Sequence, residues 1–296
     1  MRVFDKGGFT GGNKGAGKDV DARGDEADRG RAVSRRAALG RGAGVAALGL
    51  TAVALTGAAP APAAAATPGR TRRADGGSGS GSRVLPRSVA GIRIPDGEVA
   101  QRAAALAREA SSGTLFHHVM RSYLFGCALF DARGITYDRE LAFLAAVLHD
   151  LGLVEAYRTP DERFELDGAD AAQRFLRAQR VPDDRIAVVW DAIALHTNVA
   201  IAVRKRPEIA MVSVGSGTDF SGNGIDRIPS GTLEEILAAF PREGFKQDAV
   251  DTMLSLCRTK PMSVLMHPFA EVGRRHLPDF AVPTVEDLVL AAPFTE

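Results

Sequence analysis

Residues 146–152 read AVLHDLG, an apolar run that ends with an imidazole beside a carboxylate, His149 and Asp150. Stability alone does not ask for that Asp, because the negative end of a helix dipole disfavours a carboxylate. Two further residues sit in comparable places: His118 in LFHHVMRSYLFG, and Asp219 in VSVGSGTDFSG, just ahead of a glycine-rich break. Two neutral imidazoles and two carboxylates drawn from three helices make a mixed nitrogen and oxygen shell for a divalent metal, with positions left open for water. Adjacent residues project about 100° apart on a helix, so His149 and Asp150 reach one ion only if it lies in the groove between their helix and its neighbours. A cation there would offset a dipole penalty of a few tenths to about 1 kcal/mol. Each residue also has a plainer reading. His118 alone would be a hydrogen-bonded core histidine, His149 and Asp150 a helix-end ion pair, and Asp219 the cap of a turn before glycine.

The elements that must position these residues read as helices. Apolar residues recur at three- and four-residue spacing through 98–110, 114–131, 138–151, 168–180, 183–197, 206–218, 231–240, 246–258, 261–276 and 284–291, with few alternating β-branched runs. Turn signals such as SSG, DARG, TPDE, VPDD, SGNG, IPSG and PREG separate them. The expected fold class is all-α, a single helical domain over residues 84–296. No internal repeat, P-loop or dinucleotide fingerprint is present. Composition agrees, since 45% hydrophobic and 25% charged residues in 296 describe an ordinary globular chain.

Charge narrows the partners. Residues 1–66 hold ten basic and six acidic residues, which leaves 27 basic and 30 acidic residues in the remainder. That remainder is mildly acidic and has no basic stripe, which excludes nucleic acid as a partner and leaves a small-molecule substrate. Cys127 and Cys257 are too few for a disulfide framework and lack the spacing of a zinc ribbon, so they read as buried apolar residues. Ser34 to Arg36, an Ala/Gly/Leu/Val run to about Thr56 and small residues near Ala65 and Ala66 look like a twin-arginine export signal within residues 1–66. This predicts a periplasmic or extracellular location. The alternatives are a membrane anchor, if the segment is not cleaved, or a cytoplasmic protein, if the start lies further downstream. Residues 67–83 read as a flexible polar linker.

The order His118, then His149-Asp150, then Asp219 resembles the HD superfamily of metal-dependent hydrolases. The finer likeness is to its cyanamide hydratase-like branch. It is carried by LFHHVMRSYLFG, LAFLAAVLHDLGL, RFELDGADAAQRFL, WDAIALHTNVAIA, PEIAMVSVGSGTDFSG and FPREGFK, which fall in the family's order over about residues 95–292. The resemblance implies an HD-type helical bundle with His118, His149, Asp150 and Asp219 as metal ligands. It places His196, in ALHTN, on the substrate side as a further ligand or a proton shuttle. One departure is local: His117-His118-Val119 stands where the family commonly has Asn-His-Ser, which removes two small polar groups beside a ligand.

The chemistry so implied is addition of metal-activated water to a small nitrile-type substrate, cyanamide going to urea. Zn2+ is the expected ion, with Fe2+ and Mn2+ as alternatives. Asp150 would accept a proton and His196 would return it to nitrogen, while Thr197 and Asn198, by adjacency, would meet the substrate's amino group. A phosphohydrolase using the same metal is the alternative; Arg121 and Arg204 to Arg206 would then clamp phosphate oxygens. A non-catalytic metal-binding protein is a third reading. His117 reads as a surface or supporting residue, and His267 and His276 as structural ones.

Overall fold

A computed structural model describes residues 85–294, so the expected export signal and linker lie outside the described residues. Among the described residues there are eleven α-helices: α1 Glu98–Ala110, α2 Gly113–Asp131, α3 Arg139–Leu148, α4 Phe164–Ala178, α5 Asp183–Ala194, α6 Val199–Ala202, α7 Pro207–Ser221, α8 Ser230–Ala239, α9 Phe245–Thr259, α10 Phe269–His276 and α11 Val285–Leu290. The only sheet among these residues is a two-stranded antiparallel hairpin, β1 Ser88–Val89 with β2 Ile92–Arg93, in which Val89 pairs with Ile92. The fold is all-α, as the periodicity predicts. None of the described helices is long and apolar enough to cross a membrane.

The centre of the bundle is α2 and α3. Leu141 to Leu148 are all buried, as is nearly all of α2 from His118 to Phe130, because both helices are apolar around their whole circumference and other helices cover every face. Asp138 starts α3 by accepting a hydrogen bond from the Leu141 amide. α7 crosses α2 with their backbones almost touching. A Cβ added at Gly215 would stand 2.0 Å from the Ser122 carbonyl oxygen and 3.0 Å from the Gly126 amide nitrogen. Ser122 lies one turn beyond His118, and Gly215 one turn before Asp219, so this crossing is what brings His118 and Asp219 together.

Three of the boundaries that differ from expectation shape the site. α3 stops at Leu148, so His149 and Asp150 stand in the turn just beyond the helix; Asp150 has φ −105° and ψ 14°. The turn is fixed by packing on α4, where a Cβ at Gly152 would meet the Phe164 carbonyl oxygen at 1.9 Å. α4 begins at Phe164 instead of 168, which puts Glu165 and Asp167 in its first turn, where the dipole favours them. Residues 261–276 do not form one helix. A 3-10 turn, Pro261–Val264, is followed by Met266 at φ 57° and by Pro268, which disfavours helix at His267; α10 starts only at Phe269.

Gly215→Ala has no room except by parting α2 from α7. It should lower unfolding free energy by at least about 2 kcal/mol in urea denaturation, whereas a wild-type midpoint would show that the two helices separate freely.

Candidate metal centre

The turn after α3 presents Asp150 to three imidazoles. Asp150 Oδ2 lies 3.4 Å from His118 Nε2 and 3.3 Å from His149 Nε2, and Oδ1 lies 3.6 Å from His196 Nε2. All four residues are buried. In each ring the other nitrogen is already committed. His149 Nδ1 is 2.7 Å from the Ala146 carbonyl oxygen, His196 Nδ1 is 2.7 Å from that of Ile193, and His118 Nδ1 is 2.7 Å from Asp219 Oδ2. These partners only accept, so each Nδ1 carries the proton and donates it. In the neutral ring Nε2 is then a bare lone pair.

Three bare nitrogens aimed at a carboxylate are acceptors facing an acceptor. The gaps of 3.3 to 3.6 Å exceed a hydrogen-bond length, so a shared proton does not explain them. Ligand atoms about 2.1 Å from a common ion lie about 3.0 Å apart in an octahedron and about 3.4 Å apart in a tetrahedron. The three spacings to Asp150 lie near the longer of these edges. His149 Nε2 is moreover a buried nitrogen without a hydrogen-bond partner among the described residues, an orphan of the kind a metal satisfies. His118, His149 and Asp150 thus form a group that can hold a divalent metal ion.

Electrostatics keep the His149 and His196 rings neutral, the form that ligates, while Asp150 is pulled the other way. Burial, reinforced by the neighbouring His118, lowers the His149 pKa to about 3. Burial with His149 nearby lowers that of His196 to about 4. Burial raises the Asp150 carboxyl above its ordinary range, against the pull of His118 and His196.

Asp219, expected as a fourth ligand, stands instead behind His118. Its Oδ2 accepts from His118 Nδ1 at 2.7 Å and from Arg121 Nη2 at 2.9 Å; its Oδ1 accepts from Arg121 Nε at 2.8 Å and Arg242 Nη1 at 2.7 Å. Burial alone would raise its pKa, but His118 and Arg121 hold it down at about 2. With both oxygens taken by donors, it orients the imidazole and draws on its Nδ1 proton, making Nε2 a better donor to a metal. Arg121 is fully buried, and its remaining nitrogen donates to the carbonyls of Phe240 and Pro241. It braces Asp219 and is not free to hold a substrate phosphate. Phe245 stacks on the His118 ring with centroids 4.8 Å apart, and the Arg242 guanidinium lies over the Phe245 ring, 4.6 Å from its centroid.

A second buried network flanks His196. Glu165 accepts from His267 Nε2 at 3.1 Å, from Arg163 Nη2 at 2.7 Å and from the Thr197 hydroxyl, while the Phe269 amide donates to His267 Nδ1. Burial would raise the Glu165 carboxyl, but His267 and Arg163 hold it well below the usual range. His267 therefore belongs to the site, not merely to the scaffold as its sequence context suggests. Thr197 reaches the cavity, whereas Asn198 is exposed at the start of α6 and does not line it. His117 bonds the Pro241 carbonyl oxygen at 3.0 Å, as a supporting residue would.

The cluster faces a cavity of about 300 Å³ walled by Leu153, Phe164, Phe220, Phe245, Met253 and Phe269, with Thr197, Ser213, Ser216, Asp248 and Thr252 as its polar points. No Lys or Arg lines it among the described residues. Arg204, Lys205 and Arg206 line a separate surface depression with Ala200 and Ile201. Arg242, Phe245, Glu165 and Asp248 carried no role in the sequence reading. Their signals were present as the FPREGFK block and the paired acids of FELDGAD, but nothing in the spacing says which residue each one meets. No known family model matches this chain, and no curated protein matches it.

The shifted groups make the metal-free protein acid-labile. Between pH 6.5 and about 4 an unfolded chain takes up the protons that folded His149 and His196 refuse, so stability falls as pH falls. Raised Asp150 opposes this with one proton against two. Urea midpoints of chelator-treated protein should drop from pH 7 to pH 5; a flat or rising trend would contradict the placement of these rings.

Proposed function

We propose that the chain is a metal-dependent hydratase of the HD superfamily, in its cyanamide hydratase-like branch, and that it adds water to a small nitrile-type substrate, cyanamide giving urea. One observation carries this reading: bare imidazole nitrogens and a carboxylate converge on the wall of a cavity that no Lys or Arg among the described residues lines. The ordered sequence blocks support the family, and the charge of the cavity supports the choice within it.

His118, His149, His196 and Asp150 would hold the ion, and a set of imidazoles with a carboxylate suits Zn2+. When bound, such an ion supplies Lewis acidity that lowers the pKa of water from about 15.7 towards about 7. The protein's own groups do the rest. Asp150, whose carboxyl is raised by burial, would accept one proton of water as the water oxygen bonds to the nitrile carbon and return it to the nitrile nitrogen; the remaining O–H proton then moves to that nitrogen, turning isourea into urea. His196 is tied through Nδ1 to the Ile193 carbonyl, which leaves its Nε2 lone pair facing Asp150 and supports a ligand role. Thr197 spends its proton on Glu165, leaving its oxygen to accept from a substrate N–H. Phe164, Phe245 and Phe269 keep bulk water from the reacting carbon.

The phosphohydrolase reading is less well supported. Phosphoryl transfer needs fixed cations on the phosphate oxygens. Arg121 is spent on Asp219, and Arg204 to Arg206 line another depression.

Zinc-loaded protein should release urea from cyanamide, and Asp150→Asn should lower kcat/KM on the order of a thousandfold while the helical circular dichroism is retained. Phosphate release from nucleoside monophosphates without urea would transfer the assignment to the phosphohydrolases.

A further inference from the structure

Asp248 lies on the first turn of α9, three residues beyond the Phe245 that stacks on His118. Its half-buried side chain lines the cavity, and no other described residue donates a hydrogen bond or ion pair to its carboxylate. This contrasts with the other acids around the centre. Asp219 takes two guanidinium groups and an imidazole, Glu165 takes an imidazole, a guanidinium and a hydroxyl, and Asp150 meets three imidazoles. Thr252, one turn further along α9, lines the same cavity.

We propose that Asp248 sets the charge class of the substrate: it accepts a hydrogen bond from an N–H group of a neutral or cationic molecule and turns away anions. The argument is electrostatic. Away from the metal group and His267, the cavity walls are apolar or carry neutral hydroxyls, and no Lys or Arg among the described residues lines it beside the Asp248 carboxylate. In such a cleft the potential of a single charge is focused by the low-dielectric walls and not screened as it would be on an open surface. An unpaired carboxylate in a partly desolvated position gains most from a donor that arrives with the ligand. Phosphate and carboxylate esters bring none. An amino or amidine nitrogen does.

The inference deepens the hydratase reading and rests on it for the site, but its test is separate. Inorganic phosphate is titrated calorimetrically into zinc-loaded wild type, Asp248→Asn and Asp248→Ala. The expected result is phosphate binding at least about fivefold tighter in both variants than in wild type. Equal affinity in all three proteins, or no binding in any, overturns the proposal. With cyanamide, Asp248→Ala should raise KM about tenfold and change kcat less than threefold, because the residue meets the far end of the substrate; an unchanged KM overturns its role as hydrogen-bond acceptor. Absence of urea from wild type, with phosphate binding still tightened by both variants, would remove the nitrile reading and leave the charge filter standing.

Discussion

The structure turns on a conflict between acceptors. The Nε2 atoms of His118, His149 and His196 each stand 3.3 to 3.6 Å from Asp150, in a buried place where no donor among the described residues stands between them. Left alone, four lone-pair atoms in low dielectric repel one another and lack the hydrogen bonds that water would have given. A cation resolves the repulsion and the lost solvation together. The same constraint accounts for the carboxylate at the end of α3, which helix energetics alone would not place there.

Much of the surrounding architecture can be understood as holding that arrangement in place. The glycine contact between α2 and α7 lets Asp219 reach the back of His118, and the segment Phe240–Phe245 closes over both through Arg121, Arg242 and the Phe245 ring. The carbonyls of Ala146 and Ile193 fix the other two rings from within their own chain turns. On the far side Glu165 ties α4, Thr197 and His267 into one hydrogen-bonded unit. Each ligand is thus oriented through its second nitrogen or its neighbour, the arrangement by which proteins tune a metal.

The helices were legible in the sequence because a 3.6-residue repeat is a local signal, and α1, α2 and α7 fall within three residues of where that repeat puts them. His118, His149 and Asp150 were legible because their residue types are unusual in apolar runs. Asp219 is legible as part of the centre, but its contacts with His118 Nδ1, Arg121 and Arg242 are not. Which face of an imidazole a carboxylate meets depends on the depth at which two helices cross, and that depth is set by Gly215 against Ser122, a contact invisible to spacing. His267 was passed over because Pro268 breaks an apparently continuous helix just where the ring has to turn inward. Asn198 was credited for adjacency to His196, whereas the chain reverses there and leaves it exposed. The charge of the cavity was not readable at all, since it depends on which arginines are already occupied.

Elemental analysis with X-ray absorption on the purified protein tests the central claim most directly. The account predicts about one divalent ion per chain, with imidazole scattering and nitrogen or oxygen neighbours at about 2.0–2.2 Å, and loss of that ion in a folded His149→Ala protein. A wild-type protein that takes up no divalent ion, or one whose ion remains with the same surroundings after that substitution, would contradict it.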